Sequence, residues 1–319
     1  MRRARGLLVF ALPLLLAAAD ASAFGRGEKG TSGAQFLKLA PGARAAAMGE
    51  AFSAVADDAF AAYYNPAGLG GLKGVELAGM RNSHFQGIGQ NYGVLAVPLL
   101  SWVDTRRQRN ELGVLAFSVT SLSVDGLERR GVVETDEPDG SFEARDLAYS
   151  LAYGVDLGRG LSLGASFKAI DQSLDSARSS AAAFDAGALA RLGGVSASAG
   201  FRNLGSRVKF RSVADPLPFV AYTGAAWEPR KGITLAAEVR APRDGGINAG
   251  LGTELRLHLP GGLSVAGRAG FNSGAMDPGG LSGATLGGGA GFGHLAVDFA
   301  WVPCGDLGNA FRYSVRLMF

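Results

Sequence analysis

From about residue 74 onward the chain alternates apolar and polar side chains in segments of about ten residues, and few folds accept that pattern. Between Ile247 and His258, residues Ile247, Ala249, Leu251, Leu255 and Leu257 share one face; Asn248, Glu254, Arg256 and His258 share the other. A strand turns successive side chains to opposite faces, so each segment is apolar on one side only. Leu147, Tyr149, Leu151, Tyr153 and Val155 repeat the pattern. So do Leu161, Leu163, Ala165, Phe167 and Ala169, backed by Ser162, Ser166 and Lys168. Periodicity alone does not distinguish a soluble barrel from its inverse, a membrane barrel with its apolar face outward. Length favours the second. A tilted spanning strand needs about 9–11 residues, whereas soluble strands more often run about 5–6.

The connections between segments alternate in length. Gly158-Arg159-Gly160, Gly193-Gly194, Pro229-Arg230-Lys231 and Pro260-Gly261-Gly262 are tight; 121–144, 173–180, 203–217, 272–281 and 303–310 read as long loops. Short turns at one end and long loops at the other are the arrangement of outer-membrane barrels. Strands are predicted at 74–81, 90–98, 111–120, 145–156, 161–172, 181–191, 194–203, 218–228, 232–240, 247–258, 262–271, 282–290, 293–302 and 311–319, fourteen in all. An even count puts both ends of the barrel on one side. The expected fold is all-β, a closed antiparallel transmembrane β-barrel of about 14 strands with a small amino-terminal plug. Leu251, Leu255, Leu257, Phe299, Trp301, Tyr313 and Leu317 would face lipid. Lys168, Arg191, Glu238, Arg240, Glu254, Arg256, Arg268, Asp298, Arg312 and Arg316 would face the lumen, where both signs are present and pair across it.

The amino terminus reads as a secretory signal. Arg2, Arg3 and Arg5 precede an apolar core from Leu7 to Ala19, and Ala21-Ser22-Ala23 fits the cleavage pattern. Residues 1–23 are therefore expected to be removed, which lowers the formal charge from +3 to +1. Near-neutrality argues against a nucleic-acid partner. The rest of the chain has no second apolar run of the ~18 residues that a spanning helix needs. Cys304 is the single cysteine, and His84, His258 and His294 lack ligand spacing, so neither a disulfide nor a metal site is expected.

Residues 24–73 break the strand pattern. Gly42-Ala43-Arg44-Ala45-Ala46-Ala47-Met48 has helix-forming composition, and Ala54 to Tyr64 is a second helical candidate, stopped by Asn65-Pro66. This segment is expected to form a plug or hatch, with the barrel occupying 74–319.

Two stretches carry resemblances. In Phe311-Arg312-Tyr313-Ser314-Val315-Arg316-Leu317-Met318-Phe319 the apolar face runs to a terminal Phe. This resembles the closing strand of bacterial outer-membrane barrels, whose terminal aromatic is read by the barrel-assembly machinery. Tyr313, Leu317 and Phe319 would then form the assembly signal. The ordered set Gly33-Ala34-Gln35-Phe36-Leu37-Lys38-Leu39, Gly42 to Gly49, Ala56-Asp57-Asp58-Ala59 and Tyr64-Asn65-Pro66-Ala67-Gly68-Leu69 resembles the amino-terminal signature of the PorV/PorQ family. That family is similar in turn to FadL-type outer-membrane channels for hydrophobic compounds. The resemblance implies a fourteen-stranded barrel with a hatch, and a gating element at Asn65, Pro66 and Ala67 facing the wall.

Two functions are then weighed. One is binding or transport of small hydrophobic molecules across the outer membrane of a Gram-negative bacterium, with the plug aromatics Phe52, Phe60, Tyr63 and Tyr64 as candidate ligand-lining residues. The other is a PorV-like interaction protein serving a secretion or cell-surface assembly machine, docked through outer loops such as 121–144. Besides membrane lipid, the expected partners are thus the barrel-assembly machinery, a small hydrophobic ligand, or secretion-system and surface proteins. No Ser-His-Asp ordering, metal cluster or phosphate loop stands out, so neither an enzyme nor a cofactor is expected.

Overall fold

The computed structural model describes residues 30–84, 87–99, 112–131, 136–210, 212–275 and 282–319. The signal segment and residues 132–135 of the acidic loop lie outside the described residues. The strands in chain order are β1 (Glu76–Ser83), β2 (Gly89–Pro98), β3 (Val114–Arg129), β4 (Gly140–Gly158), β5 (Leu161–Leu174), β6 (Ala177–Leu192), β7 (Val195–Gly205), β8 (Arg207–Phe210), β9 (Val213–Pro216), β10 (Val220–Arg230), β11 (Ile233–Pro242), β12 (Asn248–His258), β13 (Leu263–Asn272), β14 (Ala284–Phe292), β15 (Leu295–Pro303) and β16 (Asn309–Met318).

Among the described residues, fourteen of these close into one antiparallel barrel of sequential hairpins; β8 and β9 form a separate hairpin between β7 and β10. Closure is made by β1 against β16, from Glu76 opposite Met318 to Ser83 opposite Phe311. A closed sheet leaves no unpaired edge, the condition for strands to cross hydrocarbon, where no water satisfies a free backbone N–H or C=O.

The alternation resolves as apolar outside and polar inside. Leu255 is 50% exposed and Tyr313 50%, whereas Glu254 is 3% and Ser314 1%. In water such a surface would drive aggregation; in a bilayer it is the solvated face. Leu251, Leu257 and Phe299 are exposed as well, and Trp301 and Leu317 half-buried on the same face. Phe319 lies outside the last strand, mostly exposed, with its amide donating to the Val75 carbonyl.

Three connections differ from their sequence reading. The segment 121–144 is largely strand, because β3 and β4 continue their pairing from Leu127–Phe142 to Arg129–Gly140 past a register shift. Segment 173–180 is strand except for a tight turn, with Asp175 at φ 53°. Segment 203–217 contains β8 and β9. Cross-strand pairing extended these segments beyond the point at which their apolar alternation fades.

The chain before β1 is a plug inside the barrel. It contains two short helices, α1 (Ala43–Ala47) and α2 (Ala61–Tyr64), and 3-10 turns at Gln35–Lys38 and Pro66–Gly71. Alanine is what permits this. Ala43, Ala45, Ala46 and Ala47 are all 1% exposed or less, and longer side chains would not fit between helix and wall. The plug starts near the β11–β12 loop, where Lys38 pairs with Asp244 at 3.0 Å. It ends near the start of β1, where the Ala59 amide donates to Glu76 at 2.9 Å. It therefore runs from the loop end of the barrel to the end at which β1 begins.

Candidate functional site

Most of the plug backbone is neither helix nor sheet, so its polar groups need partners from the barrel. The lumen face supplies them. Glu238 accepts from the Phe52 and Ser53 amides at 3.1 and 2.8 Å. Ser314 accepts from the Ala43 amide at 2.7 Å, and Thr285 from the Gly49 amide at 3.1 Å. Arg312 donates to the Ala40 carbonyl at 2.7 Å, Gln90 to the Leu39 carbonyl at 2.6 Å, and Arg191 to the Val55 and Ala56 carbonyls.

Asn65, Pro66 and Ala67 lie fully buried against β4, β5 and β6. Asn65 is extended at φ −160°, and its Oδ1 accepts from the Ala67 amide at 3.2 Å, capping the turn that Pro66 begins. Its Nδ2 donates to the Ser53 carbonyl within the plug and to the Ala188 carbonyl of the wall, at 3.1 and 3.2 Å. The wall opposite is a row of glycines: Gly154 pairs with Gly164, Gly164 with Gly187, and Gly187 with Gly200. A Cβ at Gly187 would sit 2.2 Å from Asn65 Oδ1, and one at Gly154 2.3 Å from the Pro66 oxygen. The element thus occupies a groove made by absent side chains.

A second tie is ionic. Arg44 of α1 is 4% exposed. Its Nε and Nη2 bond the two oxygens of Glu254 at 2.9 and 3.1 Å, and its Nη1 reaches Asp58 at 3.0 Å and also Asp57. Glu254 also pairs with Arg268 at 2.6 Å and Arg256 at 3.1 Å; Arg268 pairs with Asp298 at 2.8 Å; Arg316 approaches Asp58 at 3.4 Å. A charge this buried is tolerated only when paired and hydrogen-bonded. The Asp57 side chain is half open to the lumen; the desolvation it does suffer would raise its carboxyl pKa, but the Arg44 guanidinium outweighs this and holds it below the usual carboxylate range.

The network divides the lumen. At the loop end lies a cavity of about 640 Å³ between the plug and the β11–β12, β13–β14 and β15–β16 connections, with Glu50, Tyr63, Arg202, Arg240 and Arg312 among its lining residues. At the other end lies one of about 350 Å³, bordered by Arg44, Asp57, Glu76, Arg256, His258 and Arg316. They share no lining residue. Above the plug, β8 and β9 fold inward, and Val208 and Leu217 pack with Phe36 and Leu37 over Ala148, Ile170 and Ala183 of the wall.

The four plug aromatics separate. Tyr63 borders the larger cavity and donates to the Leu37 carbonyl at 2.8 Å. Phe52, Phe60 and Tyr64 border neither large cavity: Phe52 meets Tyr64 edge-on at 5.2 Å, and Phe60 stacks on Tyr92 at 5.7 Å. Of the lumen-face charges, Lys168 stands apart from the ionic tie, pairing with Asp185 at 2.7 Å where the β6–β7 register shifts. Glu50, Asp58, Asp185 and Arg202 carry equal weight in the lumen and were not singled out from sequence as site residues. Arg202 sits on the polar face of an alternating strand after Ser196 and Ser198, so the pattern itself marks it. The plug acids have no periodic signal.

Comparison with solved structures places the fold. The Ralstonia pickettii toluene transporter TbuX superposes with a TM-score of 0.57 at 12% identity, covering 88% of this chain and 99% of that one. The deltaS2S3 mutant of the TodX monoaromatic hydrocarbon channel gives 0.51 at 11% identity, covering 81% and 93%. At such identities the likeness is one of fold: an outer-membrane-type barrel. No curated protein sequence matches the chain. The model of the family described as "Uncharacterised protein family (UPF0164)" matches residues 15–216, more than half of the sequence, and the chain belongs to that family.

Proposed function

We propose that this barrel binds small hydrophobic molecules and passes them across the outer membrane of a Gram-negative bacterium. The observation that carries the reading is the cavity of about 640 Å³ at the loop end, a volume suited to one small ligand. It stops at a plug held by side chains rather than by sheet pairing. In this reading the loop end faces outward, the chain enters β1 from the periplasm, and passage requires the plug to shift. The shared fold with proteins described as a toluene transporter and a monoaromatic hydrocarbon channel supports the ligand class. Asn65, Pro66 and Ala67, held between Ser53 and Ala188, are the hinge we assign to that shift. No catalytic role is assigned. Uptake of toluene and similar compounds into vesicles carrying the protein tests the proposal; uptake equal to that of protein-free vesicles for the whole panel would refute it.

A second reading is a PorV-like interaction protein. It is favoured by β3 and β4, of 16 and 19 residues, well beyond the about 9–11 that a crossing needs, so their hairpin stands clear of the loop end. Gentle extraction and co-purification separate the readings: a partner retained through this hairpin, with no uptake, supports the second.

A further inference from the structure

The larger cavity is not simply greasy. Lys38, Arg202, Arg240 and Arg312 line it against Glu50 and Asp244, leaving two positive charges in surplus. Arg240 and Arg312 are both engaged by Glu50, at 2.7 and 3.4 Å. Arg202 is different. Its guanidinium lies over three tyrosine rings, 4.9 Å from the Tyr63 centroid, 5.4 Å from Tyr222 and 6.0 Å from Tyr64. Among the described residues no carboxylate forms an ion pair with it. The residue is 6% exposed, and its Nη1 is buried with no hydrogen-bond acceptor. The Nε atoms of Arg240 and Arg312 lack acceptors too.

Ring faces attract a cation but offer its N–H groups no lone-pair acceptor. A buried donor without an acceptor is costly, so a guanidinium that borders a cavity in this state is suited to receive an oxygen anion from that cavity. The same cavity also has an apolar part to its lining, with Leu37, Leu39 and Val220 among its residues.

We propose that Arg202 is the anion-binding point of the cavity and that the preferred ligand is a small organic carboxylate with an apolar or aromatic body. The inference rests on the reading of this cavity as the ligand site. It narrows the class from any hydrophobic molecule to one carrying a charged oxygen group.

The test uses the full chain purified in detergent, with benzoate, toluene and inorganic phosphate as separate probes in calorimetric titration. Benzoate should bind saturably, and more weakly as salt rises. Arg202→Gln should weaken benzoate by about tenfold or more and toluene by far less, so that the ratio of the two affinities shifts, and Arg202→Lys should retain part of the benzoate affinity. Heat-modifiable gel mobility checks that both variants fold. Crystals grown with 4-bromobenzoate give a readout needing no variant: anomalous bromine density should place the carboxylate on Arg202. Benzoate binding that ignores Arg202→Gln would overturn the assignment. So would phosphate binding as tightly as benzoate, or a crystal showing only water bridging Arg202 Nη1 to the equally unsatisfied Tyr222 hydroxyl and Glu238 Oε1. Toluene binding without benzoate binding would sink this inference alone, and failure of both would sink the ligand-site reading beneath it.

Discussion

Gly164 of β5 lies so close to Pro66 of the plug that a Cβ built on the glycine would stand 2.2 Å from the Pro66 carbonyl carbon. Two backbones meet there with no side chain between them. Neither is a flexible tip, so nothing can give way cheaply.

Gly164→Val is therefore expected to undock the plug while leaving the barrel closed. Overpacking of this kind costs about 1–3 kcal/mol. Limited proteolysis should cut the 50–72 segment faster in the variant, and heat-modifiable mobility should persist. A plug as resistant as wild type would show that the contact is slack.

Arg44 joins plug acids to wall acids, so its removal strands charge in the lumen. Arg44→Met should cost about 3–5 kcal/mol, since breaking a buried pair leaves the partner uncompensated. Glu254 retains Arg268 and Arg256 in the variant, which points to the lower part of that range. Arg44→Met with Glu254→Met should lose less than the two single changes together, read from thermal unfolding in detergent. Simple additivity would mean that the two residues do not interact energetically.

Glu50 makes plug docking acid-sensitive. Burial would raise its carboxyl pKa, but Arg240 and Arg312 overcome this and hold it below the usual range. A depressed folded-state value stabilises docking above the ordinary glutamate pKa of about 4.3, and that contribution fades as pH falls through and below it. Hydrogen exchange of residues 40–52 should quicken as pH is lowered from 6 to 3, after correction for intrinsic rates. Glu50→Gln should exchange faster at pH 6 and show a flatter pH response. A profile unchanged by Glu50→Gln would remove Glu50 from the latch.

Leu255 and Glu254 test the orientation of the wall directly. Arg at position 255 should destabilise the barrel by about 2–4 kcal/mol if that position lies near the bilayer midplane. Lipid-soluble thiol probes should label Leu255→Cys and spare Glu254→Cys. The reverse labelling would invert the barrel.

The strands were legible in the sequence because a strand writes its environment with period two, residue by residue. Leu251 to Leu257 on one face and Glu254 to His258 on the other need no distant partner to be read, and the barrel strands were located from that local signal together with the spacing of the connections; 90–98, 218–228 and 282–290 rested mainly on the connections. The hairpin of β8 and β9 escaped because, among its described residues, only Val208 is buried; it packs, with Leu217 just beyond the hairpin, against Phe36 and Leu37 more than 170 positions earlier. The plug was legible only as an interruption, with alanine runs and the Asn65-Pro66 stop marking where the alternation fails. Its lumen-filling path was decided by tertiary structure. That path depends on which wall positions are glycine in register, Gly154, Gly164, Gly187 and Gly200, and registers join residues far apart in sequence. The same holds for charge. The alternation of β7 turns Arg202 inward, but that Glu50 would engage Arg240 and Arg312 while Arg202 rests on tyrosines follows only from how the plug seats. Local periodicity determines which way a side chain points; which charge it meets there is set by contacts between segments that the sequence does not place side by side.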